Sequence, residues 1–181
     1  MRFIVLVGPK HSGKTSAGKA LASLLSCGFV DLDELIAQRS GKSPRALYGE
    51  GPEIFRKEEA GALAALLEAE TAGHSSFLVI ASGGGLADNP DALSIMGHFQ
   101  IAAVFLDVSA QAAWERIRAE GELPPFLRTD NPEGTHRVLH ERRAAAYRQL
   151  ASLVIKAGGK SPQEIAREIR DGLDTVHSPY Q

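Results

Sequence analysis

A short apolar run that stops on a glycine-bounded loop constrains this chain more than any other stretch. Phe3-Ile4-Val5-Leu6-Val7 is continuously hydrophobic, the pattern of a strand buried on both faces. Gly8-Pro9-Lys10-His11-Ser12-Gly13-Lys14-Thr15 follows, and Ser16 to Leu25 favours a helix. Strand, loop and helix thus carry G-x-x-x-x-G-K-[ST], in which backbone N–H groups curl into an anion nest and the helix N-terminus adds positive potential. Lys14 is placed to reach the outer phosphates of a nucleotide and Thr15 to offer its hydroxyl to Mg²⁺. Gly8, Ser12, Gly13, Lys14, Thr15 and Ser16 are therefore candidate nucleotide-binding positions. The alternative is a glycine-rich turn that binds nothing.

Composition narrows the class. A chain of 181 residues suits one domain, expected over 1–176 with a tail at 177–181, and can bury a core without staples. With 20 basic and 22 acidic residues the formal net charge is −2, which supplies no broad basic surface for nucleic acid. A lone cysteine, Cys27, excludes an internal disulfide and reads as a small core side chain. The apolar start is too short for a signal segment, and no apolar stretch approaches bilayer-spanning length. A cytoplasmic monomer acting without a membrane is the expectation.

Further buried strands are expected at Cys27 to Val30, Phe77 to Ala81, Ile101 to Leu106 and Leu153 to Ile155. Helical patterning covers Glu34 to Arg39, Pro52 to Thr71 (with Gly73 near its end), Pro90 to Gly97, a stretch ending near Glu120, Thr135 to Leu150, and a final helix opened by Ser161-Pro162-Gln163-Glu164 in capping-box positions. Residues 121–134 lack periodicity and read as a mobile loop. Alternating strands and helices imply an α/β fold: a five-stranded parallel sheet with helices on both faces. The phosphate loop, Asp31-Leu32-Asp33 and Ser82-Gly83-Gly84-Gly85 then share one carboxyl edge, where open α/β sheets bind ligands.

Phosphoryl transfer from ATP needs γ-phosphate charge spread onto Lys14 and Mg²⁺, and a hydroxyl positioned in line. Asp31 lies where a carboxylate can hold the Mg²⁺ shell, and Asp33 where one can orient or deprotonate the acceptor; a turn and a helix cap are their plainer alternative. Arg56 and Glu59 have the spacing of an i,i+3 surface pair.

GPKHSGKT at 8–15, DLD at 31–33, FRKEE at 55–59 and SGGG at 82–85, in that order, resemble the shikimate kinase family. The likeness continues through AVFLDVS at 103–109, ERRAAAY at 141–147 and the Ser-Pro turn at 161–162, nearly the whole chain. It implies a three-layer P-loop kinase fold with a lid at about 121–134. The implied activity is ATP- and Mg²⁺-dependent phosphorylation of a ring hydroxyl of shikimate, giving shikimate 3-phosphate and ADP in aromatic amino acid biosynthesis. The implied acceptor ligands are Asp33, the Gly83, Gly84 and Gly85 turn, and two carboxylate-binding arginines. These are Arg56, its guanidinium held by Glu59, and Arg143, with Arg142 the alternative. Arg116 corresponds to an arginine against the adenine ring, with Arg118 close by, and Pro162 falls in the adenine-side loop.

Three departures stand out. The family usually has Arg-Pro-Leu-Leu in the lid, where this chain has Leu123-Pro124-Pro125-Phe126-Leu127; Arg128 is the nearest basic replacement. Pro52 stands for a usual glutamate, and His11 for the middle glycine of the phosphate loop. A related kinase for another small polyhydroxy acid, or a nucleotide-binding regulatory module without turnover, are the alternatives.

Overall fold

The computed structural model describes residues 3–72, 77–121 and 123–176. The expected tail, Gly73 and Glu122 lie outside these. Strand β1 (Phe3–Val7) is wholly buried and occupies the middle of a five-stranded sheet of order β2-β3-β1-β4-β5. Its neighbours are β3 (Leu78–Ala81) and β4 (Ile101–Asp107), while β2 (Gly28–Asp31) and β5 (Leu153–Lys156) form the edges. Every pairing is parallel, with Val5 opposite Ile80 on one side and Ala103 on the other.

Side chains alternate across a strand, so β1 feeds two cores. Phe3, Val5 and Val7 pack with Leu63 and Leu67 of α4 (Pro52–Ala72), Ile36 of α2 (Leu32–Ser40), Leu47 of α3 (Pro44–Glu50), Met96 of α5 (Pro90–Gly97) and Tyr147 of α7 (Pro132–Leu150). Ile4 and Leu6 pack with Ala17 and Leu21 of α1 (Lys14–Leu25), Ala113 of α6 (Ala110–Ala119) and Ile165 and Ile169 of α8 (Pro162–Val176). Leu63 and Leu67 are fully buried, so truncating either to alanine costs about 2–5 kcal/mol.

Helix starts are set by side-chain caps. Ser43 Oγ accepts from Ala46 N at 3.1 Å ahead of Pro44, which starts α3, a helix absent from the sequence expectation. Asn89 and Asn131 do the same ahead of Pro90 and Pro132. The last of these starts α7 at Pro132 rather than Thr135, so the 121–134 stretch is shorter as a loop than expected. Within it, Pro125–Leu127 makes a turn of 3₁₀ helix and Leu127 is buried against Trp114 and Ile117. In α8, Ser161 N donates to Glu164 Oε2 at 2.8 Å and Glu164 N to Ser161 Oγ at 3.3 Å, the reciprocal capping box.

Because the strands are parallel, Gly8, Asp31, Ser82 and Asp107 all lie at one edge of the sheet.

Candidate active site

The loop between β1 and α1 is built on unusual backbone. Gly8 has φ 150° and Gly13 φ 91°, and a Cβ on Gly8 would lie 2.9 Å from Leu106 O. His11, at the middle-glycine position, adopts φ 63°, a left-handed conformation that costs a non-glycine residue free energy. Arg116 Nη1 reaches across from α6 and donates to His11 O at 2.6 Å. Ser12 is buried under the loop, its N–H donating to Pro9 O at 3.2 Å.

Lys14, the first residue of α1, is 7% exposed and folds back into the loop. Its Nζ donates to Gly8 O and Pro9 O, both at 2.9 Å, with Ser12 Oγ at 3.4 Å. Burial pulls its ammonium down to about 8, against the opposing pull of Asp33 and Asp31. An anion entering the nest gives this cation a better partner than neutral carbonyls.

Asp31 ends β2 and caps α2: Oδ1 accepts from Asp33 N at 3.0 Å and Glu34 N at 3.3 Å. Its Oδ2 accepts from Thr15 Oγ1 at 2.7 Å. The same carboxylate therefore serves as helix cap, the plainer role expected at this turn, and as partner of the loop threonine. Asp33 sits in the first turn of α2 rather than ahead of it. Its carboxyl is pushed above the usual range, first by burial and then by Asp31, and its Oδ1 has no hydrogen-bond partner.

The three glycines after β3 each make room for a different group. A Cβ on Gly83 would sit 3.0 Å from both Asp33 Oδ1 and Glu59 Oε1; on Gly84, 2.7 Å from Lys10 N; on Gly85, 3.3 Å from Arg143 Nη2. The turn is tied from behind by Tyr147, whose hydroxyl accepts from Ala87 N and donates to Gly84 O, each at 3.2 Å.

Two cavities flank this turn. One, of about 270 Å³, is walled by Gly13, Lys14, Thr15, Ser16 and Asp31. The other, of about 410 Å³, is walled by Tyr48, Phe55, Gly83, Gly85, Phe126 and Arg143. Lys10, Asp33 and Gly84 line both and form the partition between them.

The arginines sort by position. Arg143 lies in the wall of the larger cavity, its side chain 13% exposed, with Nε and Nη2 on Asp88 Oδ2 at 2.9 and 2.7 Å. Its guanidinium carbon stands 5.7 Å from the Phe126 ring centroid. Arg142 takes the other oxygen of Asp88 at 2.7 Å from the outside, 63% exposed. The pairing expected between Arg56 and Glu59 is not formed. Arg56 Nη1 donates to Glu53 Oε1 at 2.7 Å on the outer side of α4, while Glu59 turns inward to accept from Asn89 Nδ2 at 2.9 Å. Position i−3 lies on the solvent side here and i+3 on the core side. Glu59 is 1% exposed, and burial raises its carboxyl to about 7.

Pro162 opens α8 and Arg128 follows the Pro125–Leu127 turn on the surface; neither lines these two cavities. Lys10, Asp88 and Asn89 escaped the sequence reading. Asn89-Pro90 carried a helix-start signal, but its second use, holding Glu59, is a contact over thirty residues with no local trace.

The shikimate kinase family model matches residues 10–174. A shikimate kinase of Aromatoleum aromaticum is 31% identical over 176 residues, covering 97% of this chain and 96% of its own length. Among solved structures, a shikimate kinase from Acinetobacter baumannii in complex with shikimate superposes with a TM-score of 0.85 at 27% identity, covering 98% of this chain and 95% of the other. The Aquifex aeolicus shikimate kinase gives 0.77 at 32% identity, covering 95% and 96%. The parallel sheet with helices on both faces is the P-loop kinase arrangement expected of the sequence. With the model matching almost end to end and the phosphate loop, paired aspartates and triple-glycine turn gathered at one edge, the chain belongs to the shikimate kinase family of ATP-dependent phosphotransferases that act on an alcohol group.

Proposed function

We propose that the smaller cavity takes the phosphates of ATP, that the larger takes shikimate, and that Asp33 meets the acceptor hydroxyl at the partition. The reaction is that of the family: transfer of the γ-phosphoryl group to a ring hydroxyl of shikimate, giving shikimate 3-phosphate and ADP. The observation that carries the reading is the shared wall, because in-line transfer needs donor and acceptor in adjoining spaces.

Lys14 exchanges its loop carbonyls for phosphate oxygens and holds the charge that develops there. The backbone N–H groups of Gly13 to Ser16 and the start of α1 cradle the phosphate chain, with Gly8 and Ser12 shaping the loop beneath. Thr15 and Asp31, two hard oxygen donors 2.7 Å apart beside that cavity, fit Mg²⁺ and would hold it. When bound, Mg²⁺ supplies positive charge to the β- and γ-phosphates. Asp33, its proton affinity raised by burial, is a stronger base than an ordinary carboxylate and takes the hydroxyl proton or orients it. Arg143 binds the shikimate carboxylate at the cavity wall, with Gly83, Gly84 and Gly85 letting the ring approach the backbone. Arg56 joins by leaving Glu53. Arg116 and Pro162 border the adenine. The 121–134 segment, through Pro124, Pro125 and Phe126, covers the acceptor as a lid.

In this reading the protein works as a single domain over 1–176, a cytoplasmic monomer with small-molecule partners. A net charge of −2 argues against the strongly basic balance that sequence-independent nucleic-acid binding uses, and none of the described helices is long and apolar enough to cross a membrane.

Asp33→Asn keeps the shape and removes the base. We expect kcat to fall on the order of 10²-fold, with KM for ATP within about threefold. A rise in KM for ATP at unchanged kcat overturns the assignment.

A further inference from the structure

Three residues make the partition between the two cavities, and they are not alike. Gly84 offers only backbone, and Asp33 is an acid. Lys10 is the sole cation common to both walls among the described residues. Lys14 lines the donor side alone and Arg143 the acceptor side alone. A phosphoryl group in transit spreads negative charge over its equatorial oxygens at the partition. Beside Asp33 alone that charge would meet an anion.

The Lys10 backbone is held in place by its neighbours. Its N and Cα lie 2.7 and 3.0 Å from where a Cβ on Gly84 would stand, so the loop is seated directly on the glycine turn. The side chain, by contrast, is free to reach: it is 45% exposed, and its Nζ is 3.6 Å from Glu120 Oε2, a half-exposed carboxylate that itself lines the acceptor cavity. The segment after Glu120 contributes Pro124, Pro125 and Phe126 to that cavity, all uncharged.

We propose that Lys10 is a catalytic residue of this chain, the cation that stabilises the transferring phosphoryl group between the donor and acceptor sites, with Glu120 holding it ready. The proposal rests on the assignment of the two cavities to ATP and shikimate. In the step, the bond from the γ-phosphorus to the bridging oxygen breaks and its electron pair stays on ADP. A bond forms from the γ-phosphorus to the shikimate oxygen, and the hydroxyl proton passes to Asp33. Lys10 keeps its protons throughout and contributes charge alone. The competing view makes Lys10–Glu120 a surface ion pair with no part in turnover.

The test compares wild type, Lys10→Met and Lys10→Arg in steady-state ADP release with Mg²⁺, ATP and shikimate. Lys42→Met serves as control, since Lys42 pairs with Glu50 on the outer surface. Expected is a fall in kcat on the order of 10- to 10²-fold for Lys10→Met, KM for both substrates within about threefold, recovery of most of the rate in Lys10→Arg, and an unchanged control. Wild-type kcat in Lys10→Met, a loss confined to KM, or a loss that arginine does not lessen overturns the role of Lys10 while leaving the cavity assignment intact. Absence of shikimate turnover in wild type overturns the cavity assignment, and the proposal with it.

Discussion

Replacing Glu59 with glutamine should stabilise the protein, and by an amount that depends on pH. Glu59 is buried to 1% exposure, accepts from Asn89 Nδ2 through one oxygen, and leaves the other unpartnered beside Gly83 and Asp33. Burial comes first among the reasons its carboxyl rises from 4.5 to about 7, with Asp33 adding to it. The folded protein therefore binds this proton more tightly than the unfolded chain. Stability must fall as pH rises from below 4.5 through 7, and level off above. At about 1.4 kcal/mol for each tenfold change in proton affinity, the full penalty is about 3 kcal/mol at pH 8 and about 1 kcal/mol at pH 5. Glutamine keeps an oxygen for Asn89 and carries no charge, so Glu59→Gln escapes the penalty. Urea unfolding of the ligand-free protein at the two pH values measures it. The variant should gain about 3 kcal/mol at pH 8, or roughly 6–12 °C in Tm, and about a third of that at pH 5. An equal difference at both pH values, or a less stable variant at pH 8, refutes the reasoning.

Three further substitutions give checks, two at the glycine turn and one in α4. Gly84→Ala forces a Cβ against the Lys10 backbone and should cut kcat/KM by up to about 10²-fold, measured as ADP release. Gly61→Ala, where a Cβ meets nothing within 4 Å, should leave activity unchanged and add about 0.5–1 kcal/mol in urea unfolding. Tyr147→Phe strands Ala87 N–H and Gly84 O behind the turn and should cost about 1–3 kcal/mol in the same assay.

The middle of the sheet was legible because a strand buried on both faces has to be continuously apolar, and Phe3–Val7 and the Ile101 to Leu106 run of β4 meet that condition; the edge strands β2 and β5, expected to be buried, are only partly so. That Lys14, Thr15, Asp31 and Asp33 would gather at one cavity was legible because the loop and the end of β2 follow local rules of spacing. The helix at Pro44–Glu50 was overlooked for lack of an apolar period. Ser43-Pro44 nonetheless carries the cap-then-proline signal that marked Ser161-Pro162. Partner choice was the weakest point. Spacing along a helix makes Glu53 and Glu59 equivalent neighbours of Arg56, and only the placement of α4 against the core decides between them. Lys10 was invisible for a related reason: its place on the partition depends on the SGGG turn, more than seventy residues away in sequence.

The most direct test of the central claim is coupled ADP release with Mg²⁺ and ATP, offering shikimate, quinate or gluconate as the only acceptor and weighing the product by mass spectrometry. Saturable release with shikimate, matched by one added phosphate on shikimate and abolished in Lys14→Ala, is the expected result. Release that ignores the acceptor, or that gluconate supports and shikimate does not, would contradict it.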